Sequence, residues 1–217
     1  MRYKLIVLDI DGTITRHISS WRYIHEKLGI WTDRAFRYQE RFFAGKISYR
    51  AFCELDAAHW KGMPEEKIRR IFRSVAYSKN AARCIRALKN KNFKLAAIST
   101  GLQYMPERLR EEFDFDYILS NRLLSRNGVL TGGVGITIAH GAKHKALKAL
   151  FGRFRVTPRE VISVGDSDGD IPLARDAGYS IAFNSTSRAL SRMVDYDCKT
   201  GDFRDVYRKI LAVSHDA

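Results

Sequence analysis

The feature that most constrains the fold of this chain is an apolar segment that ends in two aspartates. Residues 4–9 have the composition of a strand, and Asp9 and Asp11 stand at its end, directly before Gly12. Successive side chains of a strand point to opposite faces, but the chain curls where a strand ends. Both carboxylates can then converge beyond the carboxyl edge of a sheet, where open α/β folds bind ligands. Crowded acids repel each other unless a cation or a substrate compensates them, so this segment suggests chemistry.

A second segment of the same design lies in the other half of the chain. The β-branched run at residues 161–164 leads into a glycine, then into Asp166, Asp168 and Asp170, and then into a helical pattern. A single Asp-x-Asp-Gly motif is equally typical of an ordinary turn after a strand, but its repetition favours a functional site. Asp168 is expected to face solvent, and we assign it no role.

Two further elements lie between the acidic motifs. Ser99, Thr100 and Gly101 follow an apolar strand and precede a predicted helix, where free backbone amides and a hydroxyl can bind phosphate oxygens. Lys143 lies near the start of another predicted helix. Alone, the first element is typical of a helix cap and the second of a solvated base. Their significance therefore depends on their position between the two acidic motifs.

The spacing of apolar residues divides the chain into two predicted domains. Residues 17–79 have helical periodicity, and we expect their stripe of aromatic side chains to form the core of a small cap. Strands and helices alternate from residue 80 onward, which predicts a parallel sheet with right-handed crossovers, and residues 126–128 predict a hairpin turn. We therefore expect an α/β, Rossmann-like core with helices on both faces, formed by residues 1–16 and 80–217, with an inserted α-helical cap.

Composition argues against several classes of protein. The apolar windows are too short to cross a bilayer, and the apolar run that ends at Asp9 is too short for a secretory leader. Cys53, Cys84 and Cys198 are widely spaced, which predicts free thiols in a reducing cytoplasm. The net charge of +14 is spread over both halves of the chain and could attract anionic substrates in general. We expect a cytoplasmic protein that binds neither nucleic acid nor a membrane.

The four motifs, in this order and at these spacings, resemble those of the haloacid dehalogenase (HAD) superfamily of phosphohydrolases. The resemblance implies that Asp9 attacks phosphorus and becomes an aspartyl phosphate, and that Asp11 protonates the leaving group and then activates water. It also implies a Mg²⁺ ion held by Asp9, Asp166 and the backbone carbonyl of Asp11, since a hard cation suits oxygen ligands and phosphate. Thr13 and Asp170 are expected to hold these metal ligands in position without binding the metal themselves.

Charge on the phosphoryl oxygens must also be neutralised, and the resemblance implies residues for this role. It assigns phosphate binding to the 99–101 segment and to Lys143. Lys145 and Lys148 are nearby rivals, but Lys143 has the spacing of the family before the strand at 161–164. The expected substrate is a small-molecule phosphate monoester.

Within the superfamily, the chain is similar to phosphoserine phosphatase-like enzymes with a helical cap. The segments that carry this similarity are residues 44–49, 60–64, 118–122 and 128–132. Substrate recognition departs from that group. Ile18 stands where the group has a glutamate, Asp56 aligns with a cap arginine, and Gly169 replaces an asparagine. The resemblance therefore implies the reaction more strongly than it implies phosphoserine as the substrate.

Two other functions are compatible with the motifs. A phosphotransferase would pass the phosphoryl group from Asp9 to an alcohol acceptor with the same residues, and product analysis with alcohol acceptors separates it from a hydrolase. A non-catalytic phosphate- or nucleic-acid-binding relic of the fold would have no need to keep several acids together at a cost in stability. A salt-dependent shift assay with DNA or RNA tests the relic.

Overall fold

The computed structural model describes residues 2–17, 19–30 and 33–215, so Ile18, which bears on substrate recognition, lies outside the described residues. Among these residues the strands form one sheet in the order β4-β3-β2-β1-β5-β6-β7. The strands are β1 (Leu5–Leu8), β2 (Lys94–Leu102), β3 (Tyr117–Arg126), β4 (Val129–Gly135), β5 (Val161–Gly165), β6 (Tyr179–Phe183) and β7 (Tyr196–Cys198). All neighbours are parallel except β3 and β4.

Helices cover the sheet and form the insertion that follows β1. They are α1 (Ser20–Lys27), α2 (Asp33–Phe43), α3 (Tyr49–Ala58), α4 (Glu65–Arg73), α5 (Ala81–Asn90), α6 (Tyr104–Glu112), α7 (Lys143–Phe154), α8 (Ile171–Asp176), α9 (Arg188–Met193) and α10 (Phe203–His215). The alternation of strands and helices after residue 80 confirms the predicted α/β class. None of the helices within the described ranges combines the length and the apolar character that a bilayer span needs.

The central strand β1 brings the two acidic motifs to the same edge of the sheet. Its four residues are fully buried, as a strand covered by helices on both faces requires. Leu8 aligns with Ala97 of β2 and with Val164 of β5. The residues that follow these strands therefore leave the sheet side by side.

The insertion between β1 and β2 contains α1 to α4, and we propose that residues 17–79 are a cap. Trp21, Trp60 and Phe72 are buried in it, as the aromatic stripe predicts. Phe36 and Phe43 of the same stripe are 50% and 66% exposed, so these two rings are not part of the cap core that the stripe predicts.

The strand β3 continues into a hairpin that contacts the cap. The positive φ angles of Asn127 and Gly128, 50° and 75°, fit the tight turn predicted from the sequence. Met63 and Leu130 join the cap to β4, because the Leu130 amide donates to the Met63 carbonyl at 2.9 Å. The sequence did not predict β7, since its three residues include an aspartate and form no apolar run.

Candidate active site

A wide turn after β1 allows the two acidic motifs to approach each other. The Thr15 amide closes the turn by donating to the Ile10 carbonyl at 3.0 Å. Asp11 (φ −72°, ψ 120°) and Gly12 (φ 83°, ψ −17°) have type II turn angles, which favour glycine at the second position. A Cβ atom at Gly12 would also lie only 2.3 Å from Asp166 Oδ2. Glycine is therefore required here by its backbone angle and by the neighbouring carboxylate.

Three carboxylates form a buried cluster at the edge of the sheet. Asp9, Asp166 and Asp170 are 4%, 8% and 2% exposed, and each contributes one oxygen to a group whose members lie within 4.8 Å of one another. Burial, and then repulsion within the cluster, raises the pKa of Asp9 and of Asp166 because both effects disfavour the charged form. All three members of the cluster are acids, so their negative charge must be balanced by a group from outside the cluster.

Lys143, at the start of α7, is the cation that contacts this cluster. Its Nζ lies 2.7 Å from Asp9 Oδ1 and 2.6 Å from Asp170 Oδ1, and the side chain is 2% exposed. Burial alone would lower the pKa of this ammonium, but the two carboxylates outweigh burial and raise it. Lys145 and Lys148, the rivals considered from the sequence, are exposed. The structure therefore brings Lys143 to the site.

Asp170 is a member of the cluster that does not line the cavity and instead holds neighbouring groups in position. Its Oδ1 contacts Lys143 at 2.6 Å, and its Oδ2 accepts hydrogen bonds from the amides of Asp166 and Ser167 at 3.0 and 3.1 Å. Both oxygens are thus engaged, which suits a positioning role. Thr13 acts similarly on the other side, because its hydroxyl donates to Asp166 Oδ1 at 3.1 Å.

Asp11 lies apart from the cluster and is held by groups of the insertion. Its Oδ1 is 3.0 Å from His17 Nε2, and its Oδ2 accepts the Ser20 amide at 2.7 Å. Burial would raise the pKa of Asp11, but the attraction of His17 and these hydrogen bonds lower it. Asp9 and Asp11 therefore have environments that move their pKa values in opposite directions, which is the condition for two carboxylates with different roles.

The segment Ser99–Gly101 differs locally from its prediction. The sequence predicted a strand that ends at Ser99 and a helix that starts directly afterward. The strand instead continues to Leu102, with a register shift against β3 after Ile98, and the helix begins at Tyr104. The segment is therefore an irregular strand end, and any contact with phosphate would use its own amides and hydroxyls rather than the first turn of α6.

Close packing around Gly101 joins this segment to Asp11. A Cβ atom at Gly101 would lie 2.6 Å from Asp11 Oδ2 and 2.6 Å from Ser20 Oγ, so a larger residue would displace one of them. The Gly101 amide donates to Ser99 Oγ at 2.9 Å, which orients that buried hydroxyl. The segment Ser99–Gly101 and the Asp11 carboxylate therefore pack too closely for either to move independently of the other.

The Thr100 carbonyl accepts hydrogen bonds from three separate elements. Trp21 Nε1 of α1 lies 3.2 Å from it, the Tyr49 hydroxyl of α3 lies 2.9 Å from it, and Asn121 Nδ2 of β3 lies 3.0 Å from it. Asn121 is fully buried and also accepts the Ile138 amide at 2.8 Å. These contacts fix the segment against the insertion on one side and the sheet on the other.

A cavity of about 340 Å³ opens above these residues. Asp9, Asp11, Lys143 and the 99–101 segment form part of its lining. The insertion contributes aromatic side chains and Asp56, while His140 and Asp168 line it from the core domain. Asp168 is exposed, as expected from the sequence. A larger groove of about 630 Å³ lies along α2 and contains none of the clustered acids.

Several residues of the site were not found from the sequence. They are His17, Ser20, Trp21, Asn121 and His140. Trp21 belongs to the aromatic stripe and Asn121 to the 118–122 segment, but neither pattern marks a site residue, and a lone histidine is usually a core or surface residue. The one available signal was the position of His17, close after Asp11 at the start of the insertion.

The donor set fits a hard divalent cation. All candidate ligands are carboxylate oxygens, which suit Mg²⁺. Burial, and after it repulsion among the aspartates, raises the pKa values of Asp9 and Asp166, and a bound cation would offset both effects. Asp11 directs its carboxylate toward His17 and Ser20, so it could contribute its main-chain carbonyl instead.

The chain also matches known proteins in sequence. A family model for haloacid dehalogenase-like hydrolases matches residues 6–175. The phosphoserine phosphatase of Archaeoglobus fulgidus is 31% identical over 183 residues, which cover 84% of this chain and 53% of that protein, so the chain spans about half of this relative. The phosphoserine phosphatase of Methanocaldococcus jannaschii is 25% identical over 208 residues, covering 95% of this chain and 97% of that protein.

Solved structures share the fold. One is described as a phospho-aspartyl intermediate analogue of phosphoserine phosphatase, with a TM-score of 0.83, 24% identity and coverage of 96% of this chain and 99% of that chain. A substrate-bound phosphoserine phosphatase complex has the same TM-score and coverage at 23% identity. At these identities the likeness shows the architecture. The family match, which extends over most of the chain, shows that this protein belongs to the haloacid dehalogenase-like hydrolase family, and its sequence relatives identify it as a phosphatase.

Proposed function

We propose that this chain hydrolyses small phosphate monoesters through an aspartyl phosphate formed on Asp9. The observation that carries the proposal is the position of the Asp9 carboxylate, which is buried beside Lys143 and lines the cavity. Cys53, Cys84 and Cys198 are buried free thiols, which favours a reducing cytoplasm as its location. The proposed substrate is a metabolite, with no nucleic acid or membrane partner.

Asp9 acts as the nucleophile in the first step. One of its oxygens attacks phosphorus, and the ester oxygen leaves with the bonding electron pair. Lys143, 2.7 Å from Asp9 Oδ1, opposes the effect of burial, which raises the pKa of Asp9, and it offsets charge on the phosphoryl oxygens. When bound by Asp9, Asp166 and the carbonyl of Asp11, Mg²⁺ would neutralise these carboxylates and the phosphate oxygens.

Asp11 exchanges protons in both steps. It must donate a proton to the leaving oxygen in the first step and accept one from water in the second. His17 favours the ionised form, which suits the second step. A dianionic phosphate beside Asp11 raises the pKa of its carboxyl, which favours the protonated form needed at the start. The separate location of Asp11, away from the cluster of Asp9 and Asp166, allows the two aspartates to act in sequence.

The identity of the substrate is set by the cap rather than by the acidic cluster. The relatives are phosphoserine phosphatases, but Asp56 lines the cavity here and would repel the carboxylate of phosphoserine. Burying a charge without a partner is costly. We therefore expect L-phosphoserine to be a poor substrate in a panel of sugar, nucleotide, polyol and aryl phosphates, as judged by kcat/KM.

The test of the proposed reaction is hydrolysis of p-nitrophenyl phosphate with Mg²⁺, with excess chelator, and by Asp9→Asn. We expect activity with Mg²⁺ and none in the other two cases, because the variant lacks the nucleophile. Asp114→Asn is the matched control, since the Asp114 side chain is 84% exposed and does not line the cavity. Full activity in chelator would contradict the metal assignment, and near-normal turnover by Asp9→Asn would contradict the nucleophile.

A further inference from the structure

One face of α3 forms a wall of the cavity that the proposed mechanism does not use. Tyr49, Phe52 and Asp56 line the cavity, and spacings of three and four residues place them along one side of the helix. Tyr49 marks the phosphate end, because its hydroxyl donates to the Thr100 carbonyl at 2.9 Å. Asp56 lies two turns further along, about 10 Å of helix axis. The wall therefore leads from the phosphate end to a buried acid.

Aromatic rings surround this wall. Phe42 of α2 stacks on Phe52 with ring centroids 5.3 Å apart and contacts Tyr49 at 5.6 Å. Trp21 of α1 lines the same cavity and is held by its hydrogen bond to the Thr100 carbonyl. The faces of such rings carry partial negative charge and attract cations, most strongly in a desolvated site.

Asp56 adds a full negative charge to this aromatic wall. The residue is 1% exposed, and its Oδ1 lies 3.3 Å from His25 Nε2. Among the described residues, no donor forms a hydrogen bond of acceptable geometry to this Oδ1 atom. An incompletely compensated carboxylate in a buried position is costly, and a ligand cation in the cavity would reduce that cost.

We infer that the cavity selects phosphate monoesters of short amino alcohols, with the phosphate at Asp9 and the protonated or N-methylated amine between the aromatic rings and Asp56. The inference rests on the proposed phosphatase function and names its substrate class. The two ends of the cavity have complementary chemistry for such a ligand, since Lys143 serves the anionic end and Asp56 the cationic end. Arg22 also lines the cavity, but its Nε is paired with Glu26 Oε1 at 2.6 Å. A ligand carboxylate would be repelled by Asp56, which separates this class from phosphoserine.

The test compares kcat/KM for phosphocholine and phosphoethanolamine with that for 3,3-dimethylbutyl phosphate, in which carbon replaces the charged nitrogen of phosphocholine. We expect at least one amino alcohol ester to exceed the neutral ester by about tenfold or more, because the two differ mainly in charge. Equal or lower values for both amino alcohol esters would overturn the inference. p-Nitrophenyl phosphate has no cation and therefore reports on the phosphatase function separately. If it is hydrolysed but the enzyme shows no preference for the amino alcohol esters, only the proposed substrate class is contradicted. If no ester is hydrolysed, both proposals are contradicted.

Variants of α3 assign the preference to Asp56. In Asp56→Asn we expect the ratio of kcat/KM between the preferred amino alcohol ester and the neutral ester to fall several-fold toward the small preference that the aromatic rings alone give, mainly through KM. A general loss of activity cancels in this ratio. Glu54→Gln removes an exposed acid of the same helix and should preserve the ratio. An unchanged ratio in Asp56→Asn, or an equal fall in Glu54→Gln, would contradict the role of Asp56.

Discussion

His17 Nε2 lies 3.0 Å from Asp11 Oδ1, so the inserted segment takes part in orienting the residue proposed as acid and base. The imidazole is itself held by stacking on Tyr23, with ring centroids 4.9 Å apart, and by an edge contact with Phe72 at 6.1 Å. This arrangement fixes Asp11 in one orientation before substrate arrives.

His17→Phe should lower turnover of alkyl phosphates by about tenfold or more while lowering turnover of p-nitrophenyl phosphate much less, because only the poor leaving group needs a well-placed proton donor. Phenylalanine retains the aromatic contact with Tyr23. His17→Gln offers an amide donor to Asp11 and should restore part of the loss. Steady-state kcat for the two substrates checks this, and equal losses for both would show that His17 does not act on protonation of the leaving group.

Lys143→Ala should reduce kcat by about 100-fold or more, since a preorganised cation is lost from the phosphoryl site. It should also destabilise the protein by about 3–5 kcal/mol, because Asp9 and Asp170 lose their buried partner. Activity assays and denaturant unfolding measure the two effects. Lys145→Ala, which changes an exposed residue two positions away, is the control. A silent Lys143→Ala with a crippled Lys145→Ala would show that the wrong lysine was assigned.

The metal-free protein should lose stability as pH rises. The pKa of Asp9 is raised to about 7 and that of Asp166 to about 9, so the folded state binds protons that the unfolded state releases near pH 4. Their contribution is complete below that pH and is lost as pH rises through the folded-state values. Mg²⁺ should consequently raise Tm more at pH 8 than at pH 5.

Thermal unfolding with and without Mg²⁺ at the two pH values provides the measurement. Asp166→Asn removes one of the two carboxyl groups whose pKa is raised, so it should weaken both the pH dependence of stability and the effect of Mg²⁺ on Tm. A monovalent salt at matched ionic strength controls for screening. An equal Mg²⁺ shift at pH 5 and pH 8 would mean that the cation does not bind the Asp9 and Asp166 carboxylates.

Gly12→Ala should abolish most activity and destabilise the fold by about 1–3 kcal/mol, because the new Cβ would meet Asp166 Oδ2 at 2.3 Å. Gly128→Ala is an informative control, since Gly128 also has a positive φ, 75°, but has no atom within 4 Å of a Cβ. It should show a cost from backbone angle alone, with activity retained. Similar activity losses in both variants would argue against the steric explanation.

The sheet and its acidic edge could be predicted because their signals are local. Apolar runs define β1 and β5, and Asp9 and Asp166 follow these runs directly in the sequence. Lys143 required the resemblance to a family, since nothing around it distinguishes it from Lys145. Its ammonium reaches Asp9 only after folding brings together residues that are far apart in the chain.

Other features depend on contacts that no local pattern records. Asn121 sits in a strand segment of mixed polarity, and its role appears only when the Thr100 and Ile138 backbones meet its amide. Phe43 has the spacing of a core residue, but its ring remains 66% exposed beside Phe42 and His140. Hydrophobic periodicity shows that a helix has an apolar face, not which neighbour covers it.

Two of the three hydrogen bonds to the Thr100 carbonyl, those from Trp21 and Tyr49, hold the insertion against the segment Ser99–Gly101. Lifting the insertion away from the core would break the contacts of Trp21 and Tyr49, at a cost of about 1 kcal/mol each, while Asn121 would stay in place and keep the carbonyl satisfied. The Thr100 carbonyl would therefore still have a hydrogen-bond donor if the insertion moved away from the core. Separating the insertion from the core would also break the stacking of Phe72 on Tyr104 and the backbone hydrogen bond between Leu130 and Met63, so closure of the cavity depends on more than the Thr100 carbonyl.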